Sequence, residues 1–209
     1  MTLRVLFTGE GASDNGLVPH IEAAAAREGL RAIVTAPDFG RLPVSELHSV
    51  PAKLRAIRAL EDSDYDLVII HRDADRIGPQ ERRSEVAQAV GTTWPGHLHI
   101  AAVPVRALEA WLLLDEHSIR QVAENPNGKA RLALPKGIAA ERVPDPKKLL
   151  RESLATANGS TGRRLDNFRR RFPQHRHQLL ERLDAFGPVS QLPSWQAFMT
   201  DLRIAFQAL

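Results

Sequence analysis

Four carboxylates stand where two apolar runs end. Glu10 and Asp14 follow Leu3–Phe7, and Asp73 and Asp75 follow Leu67-Val68-Ile69-Ile70. If the two runs are neighbouring strands, the four acids converge at one edge. In open α/β sheets ligands bind beyond the carboxyl ends of strands. Close carboxylates repel one another, so a cation must compensate them. Hard divalent ions prefer oxygen, and Mg²⁺ takes one or two carboxylates, keeps several waters and leaves room for a substrate phosphate. Two such ions can stabilise both the attacking and the leaving oxygen of a phosphoryl transfer. Asp-x-Asp in a loop is ordinary turn chemistry when it stands alone. Its repetition as a pair of acids after each of two strands makes Glu10, Asp14, Asp73 and Asp75 candidate metal ligands.

Other residues near these acids could complete the chemistry. Glu109 follows a third apolar run and Pro104. It reads either as a further ligand or base, or as a helix N-terminal acid favoured by the macrodipole. Arg72 could neutralise a scissile phosphate or the carboxylates themselves, and His71 could shuttle a proton. Neighbours on a strand alternate in direction, so one of these two can point back into the sheet. His97 and His99 share a face without a third ligand and read as structural. Trp111, with Leu112 and Leu114, reads as core, as do Phe168 and Phe172 at helical spacing.

The elements that must position these residues alternate. Strands are predicted over Leu3–Phe7, Arg31–Ala36, Asp66–Ile70 and Leu98–Val103. The run at Leu67–Ile70 is apolar throughout, as a strand covered on both faces is. Helices are predicted over Leu17–Arg27, with Ser13 or Asp14 as N-cap, over Val50–Leu60 with Leu54, Ile57 and Leu60 on one face, over Pro79–Val90 and over Leu108–Leu114. Asp115 reads as a helix-end or turn residue. This alternation predicts an α/β fold with a mainly parallel sheet flanked by helices. Residues 1–124 form that domain in this reading. Residues 125–144, rich in Gly, Pro and Asn, read as a linker or long loop, and 145–209 as a basic helical extension with breaks at 158–162 and 186–188.

Composition narrows the partners. The chain of 209 residues is 43% hydrophobic, enough for a real core, and lacks cysteine, which excludes disulfides and thiolate sites. No run approaches a membrane span, and the N-terminus lacks a signal peptide's pattern, so a cytoplasmic protein is expected. Net charge is +3, yet residues 141–182 hold 11 Lys/Arg against 5 Asp/Glu, which leaves the remainder acidic. That asymmetry suggests a polyanion partner. Arg163, Arg164, Arg169, Arg170 and Arg171 are the predicted phosphate contacts, giving affinity without sequence readout. His175 and His177 could add charge at low pH.

Several short motifs resemble a known family. Gly9-Glu10-Gly11-Ala12-Ser13-Asp14 followed by Leu17 resembles the Glu-Gly-x-x-Asp motif of TOPRIM domains, in the form found in overcoming-lysogenization-defect nucleases. Leu67–Asp75 is similar to the TOPRIM strand that ends in Asp-x-Asp. The stretch from Ala102 to Asp115, with Glu109-Ala110-Trp111-Leu112, and Asp145-Pro146-Lys147 resemble the bacterial TOPRIM-like domain of unknown function family 4276. One departure is Arg76-Ile77-Gly78, where many TOPRIM domains place a glycine soon after Asp-x-Asp. The only tyrosine, Tyr65, precedes the central strand, which leaves no candidate for topoisomerase chemistry.

The resemblance implies a TOPRIM-like, Rossmann-like sheet with Mg²⁺ or Mn²⁺ at Glu10, Asp14, Asp73 and Asp75, and cleavage or transfer at nucleic-acid phosphodiesters, with DNA ahead of RNA. It also implies a role, and a protein partner, in phage defence or a related conflict system. Glu10, Asp73, Asp75 and Arg72 would then be catalytic, with Glu109 a further ligand. A non-catalytic nucleic-acid- or partner-binding module is the alternative. A nucleotide-sugar transferase built on the Asp-x-Asp comes last, because it leaves Glu10 unexplained.

Overall fold

The computed structural model describes residues 2–39, 49–60 and 64–209, apart from the side chain of Leu60. The predicted place of Leu60 on the apolar face of its helix therefore lies outside the described residues.

Strands β1 (Thr2–Thr8), β2 (Arg31–Thr35), β3 (Leu67–His71) and β4 (His99–Ala102) form one parallel sheet in the order β2-β1-β3-β4. The α/β class and parallel sheet expected from the alternation are what the structure has. β3 is buried along its whole length, as its continuous apolar sequence requires. The chain leaves β1 toward one edge and β3 toward the other. The C-terminal ends of β1 and β3 therefore flank a switch point, where an open sheet leaves a crevice. Pairing of Thr8 with Ile70 brings the two acid-bearing loops side by side.

Helices cover both faces. On one, α2 (Val50–Leu60) and α3 (Pro79–Thr93) place Val50, Leu54, Ile57, Val86 and Val90 against Leu6, Val68 and Ile70. On the other, α1 (Val18–Arg27), α4 (Glu109–Leu112) and α9 (Pro193–Gln207) place Ile21, Trp111 and Phe198 against Leu3, Val5 and Phe7. Behind them lie α5 (Glu116–Val122), α6 (Pro146–Asn158), α7 (Gly162–Arg170) and α8 (Phe172–Glu181). Among the described residues no helix is long and apolar enough to cross a membrane.

Capping sets several helix boundaries. Asp115 is the N-cap of α5, its Oδ1 accepting from Ser118 N at 3.0 Å. Asp145 caps α6 the same way through Lys148 N at 2.8 Å, with Pro146 in the first turn. The expected cap at Ser13 or Asp14 takes another form. A 3₁₀ turn over Ala12–Leu17 precedes α1, and Asp14 reaches back from inside it to the backbone N–H groups of Glu10 and Gly11.

The core does not divide at residues 125–144. One apolar cluster runs from Leu3 through Leu132 and Ala140 to Phe206. The stretch also holds a 3₁₀ turn, Gly137–Arg142, whose Glu141 is buried and accepts from Ser194 N and Oγ. Trp111 Nε1 donates to the same Ser194 hydroxyl at 2.8 Å, which ties the segment to α4 and α9.

The turn after β1 lies flush on α8. A Cβ built on Gly16 would meet Leu180 Cβ at 2.6 Å and the His177 carbonyl at 2.9 Å, while one on Gly11 would meet nothing within 4 Å. Gly16→Ala is expected to cost about 2 kcal/mol by overpacking, with Gly11→Ala close to neutral. Equal melting temperatures for the two variants would show that this contact is not tight.

Candidate functional site

A cleft of about 330 Å³ opens at the switch point between β1 and β3. Glu10, Asp14, His71, Asp73 and Glu109 form its sheet side, and Lys147, Arg151 and Arg176 come from α6 and α8 across it. The helical extension thus supplies one wall of the cleft that the sheet begins.

Asp14 is the most constrained of the acids. It is buried, and its Oδ2 accepts from Glu10 N at 2.7 Å, Gly11 N at 3.1 Å and His71 Nδ1 at 3.0 Å. Its Oδ1 accepts from Arg176 Nη1. Burial works against its charge, but His71 outweighs that by Coulomb attraction and hydrogen bonding, aided by Arg176 and the Gly11 N–H. The carboxyl is held well below the usual range. Gly9 is needed beside it, since a Cβ there would lie 2.5 Å from Asp14 Oδ2. With both oxygens engaged by the protein, Asp14 organises the loop.

His71 ends β3 and points into the site, fully buried. Its Nδ1 faces Asp14, and its Nε2 lies 3.2 Å from Asp73 Oδ1. Burial alone would lower its pKa, but Asp14 and then Asp73 more than reverse this and push it up to about 10. His71 is therefore an imidazolium clamped between two carboxylates at neutral pH.

Arg176 plays the same part from the other side. Its Nε donates to Glu109 Oε1 at 2.9 Å, and Nη1 donates to Ser13 Oγ at 2.7 Å as well as to Asp14. Glu109 is buried at the start of α4. It stands at the N-terminus of α4 and lines the cleft, where it pairs with Arg176. Lys53 of α2 is also buried, and its Nζ donates to the Gly9 carbonyl at 2.5 Å. Burial lowers its pKa, opposed by Glu10 and Asp14.

The remaining acids divide. Glu10 Oε1 accepts from Asp73 N at 3.2 Å and lies 3.5 Å from Arg72 Nε. Asp73 Oδ1 accepts from Leu108 N at 2.9 Å. Glu10 and Asp73 thus border the cleft together, each with a second oxygen outside these contacts. Asp75 turns elsewhere. At φ 49° it occupies the left-handed region, its N–H donates to the Arg106 carbonyl, and its Oδ2 pairs with Arg82 at 3.1 Å. Arg72 lies between Glu10 and Glu85, 3.5 Å from each. Neither Asp75 nor Arg72 is in the cleft wall. Among the described residues no three His, Asp or Glu side chains are gathered as a metal-holding set. What the cleft offers a hard cation is two carboxylates, Glu10 and Asp73, which matches the appetite of Mg²⁺ for one or two with water and phosphate filling the rest.

The predicted phosphate contacts sit on the outer surface. Arg163, Arg164, Arg169 and Arg170 are exposed on α7, and Arg171, exposed at its end, pairs with Glu124 at 3.1 Å. His175 would add charge only at more acid pH than an ordinary histidine. It is buried against Phe168, with ring centroids 4.2 Å apart, and burial followed by Arg171 lowers its pKa. His97 stacks on Trp94, and its carbonyl lies 3.2 Å from His99 Nδ1.

Lys53 and Arg176 escaped the reading of the sequence as site residues, although a signal existed. Each stands on an apolar stripe, Lys53 with Val50, Leu54 and Ile57, and Arg176 with Phe172, Leu179 and Leu180. A cation at a core-facing helix position implies a buried anion.

Comparisons with protein-family models, curated proteins and solved structures give no match. The functional reading therefore rests on the geometry of the cleft and on the motifs.

Proposed function

We propose that the protein is a TOPRIM-like, divalent-metal-dependent enzyme that cleaves phosphodiesters in nucleic acid, with Mg²⁺ or Mn²⁺ held by Glu10 and Asp73. The observation that carries the reading is their meeting at the switch point, where Asp73 N–H donates to Glu10 Oε1. When bound, a divalent ion supplies Lewis acidity at a phosphoryl oxygen. The protein's own groups do the positioning. His71 and the Leu108 N–H orient Asp73. Asp14 holds the backbone on which Glu10 stands. Lys147 and Arg151, across the cleft, suit a substrate phosphate, and the exposed arginines of α7 suit its continuation. A role in phage defence or another conflict system, with a protein partner, follows from the motif resemblance.

The test compares wild type with Asp73→Asn. Mn²⁺ or Mg²⁺ at about a hundred times its Kd should stabilise wild type by about 2.7 kcal/mol, several degrees in Tm, and permit cleavage of DNA or RNA. Asp73→Asn should lose both effects. Identical shifts in the two proteins, or none in either, would remove the metal reading.

One observation favours a second reading, a non-catalytic nucleic-acid- or partner-binding module. His71 and Arg176 already compensate Asp14, Asp73 and Glu109 within the protein. Metal-independent nucleic-acid binding that survives Asp73→Asn, without cleavage, would select it. The nucleotide-sugar reading loses its footing, because Asp73 and Asp75 turn to different partners.

A further inference from the structure

A second cavity of about 410 Å³ lies between α6, α7 and α8. Its apolar lining is Leu154, Ala155, Phe168 and Phe172. The rings are ordered: Phe168 stacks on His175 at 28°, and the Arg151 guanidinium lies 4.5 Å from the centre of the Phe172 ring. Lys148, Arg151 and Arg169 are exposed around it, with Glu152 the one acid in its wall. Arg151 and Phe172 also line the cleft at the switch point, so the two cavities share a wall.

An apolar cavity lined by aromatic rings suits a flat ring. A rim of guanidinium and ammonium groups suits a phosphate. The volume falls in the range of small-ligand sites. A group that is both flat and phosphorylated answers both halves of the lining, and a nucleotide is that group.

We propose that this cavity binds one nucleotide, its base among Phe168, Phe172 and Ala155 and its phosphate on Arg151. Binding itself is independent of the metal reading. The consequence for substrate class rests on that reading: a base held here places the adjoining phosphodiester across Arg151, toward Glu10 and Asp73. A base can enter such a cavity only outside a duplex stack. The substrate is then a single strand, or a duplex end or lesion with an unpaired nucleotide.

The test is calorimetric titration of the full chain without divalent metal, using thymidine 5′-monophosphate, thymidine and inorganic phosphate. The mononucleotide should bind at least about tenfold more tightly than either part. Arg151→Ala, a surface change, should weaken it by about tenfold through loss of a charge-assisted contact. Ala155→Phe should abolish it by filling the cavity while keeping every cation, with folding checked by melting. Inorganic phosphate binding as tightly as the mononucleotide would reduce the site to a cationic surface and overturn the proposal. So would an unchanged Kd in folded Ala155→Phe or in Arg151→Ala, or no mononucleotide binding at millimolar concentration. Metal-dependent cleavage without mononucleotide binding would leave the metal reading intact, and binding without cleavage would leave this one.

Discussion

Arg176→Leu should destabilise the protein by about 3–5 kcal/mol, the cost of leaving a buried charge without its partner. Arg176, Asp14 and Glu109 are all nearly inaccessible, with side-chain exposures of 8%, 2% and 3%. One guanidinium serves both carboxylates, through Nη1 to Asp14 and Nε to Glu109. Its removal strands Glu109 entirely and leaves Asp14 to His71. For a chain of this size the loss corresponds to a fall in Tm on the order of 10 °C. Arg176→Lys should recover only part, because a single ammonium cannot reproduce the planar fork. Adding Glu109→Gln to Arg176→Leu should restore some stability by discharging the stranded acid. Denaturant unfolding of the four proteins checks this. A loss below about 1 kcal/mol for Arg176→Leu, as for an exposed pair, would mean that the pairs are solvated.

Stability should also fall as pH rises from about 6.5 to about 10. His71 carries its proton in the folded state up to about pH 10, against an ordinary value of 6.5. A group raised on folding contributes in full below its unfolded pKa and loses that contribution as pH climbs to the folded one. Each pH step of one across this window removes about 1.4 kcal/mol, so its full width amounts to several kcal/mol. The histidines His20, His97 and His175 are shifted the other way, first by burial, and their contribution fades only toward acid. Lys53, lowered by burial, acts with the opposite sign at the alkaline end in wild type and variant alike, so the comparison with His71→Gln isolates His71. Unfolding free energies at pH 6.5, 8 and 9.5 should decline in wild type and stay much flatter in His71→Gln. Parallel slopes would place the titrating group elsewhere.

Much of the frame was legible because local pattern reports burial. The unbroken apolar run of β3 and the alternation of strand-like and helix-like runs placed elements close to their observed bounds. The position of the acids at strand ends was equally local. What could not be read was which partners they find. Asp14 meets His71 across 57 residues and Arg176 across 162. Crowded carboxylates call for positive charge, and His71 and Arg176 provide a large part of it from within the protein. α5 was overlooked because Asp115 opens it directly after α4, and the break at Arg171 is marked only by Pro173 in the first turn of α8.

The reach from Asp14 to Arg176 bears on how the chain comes off the ribosome. Synthesis is vectorial, and N-terminal segments begin to organise before later ones exist. β1 and its loop emerge first, yet the cation that neutralises Asp14 and Glu109 is added 162 residues after Asp14. Until α8 has left the exit tunnel, the nascent sheet carries Glu109 without its cation, Asp14 with His71 alone, and an open cleft. Completion of the cleft therefore waits for the synthesis of α8, and a product truncated before Arg176 would possess the acidic loops without the wall that closes over them.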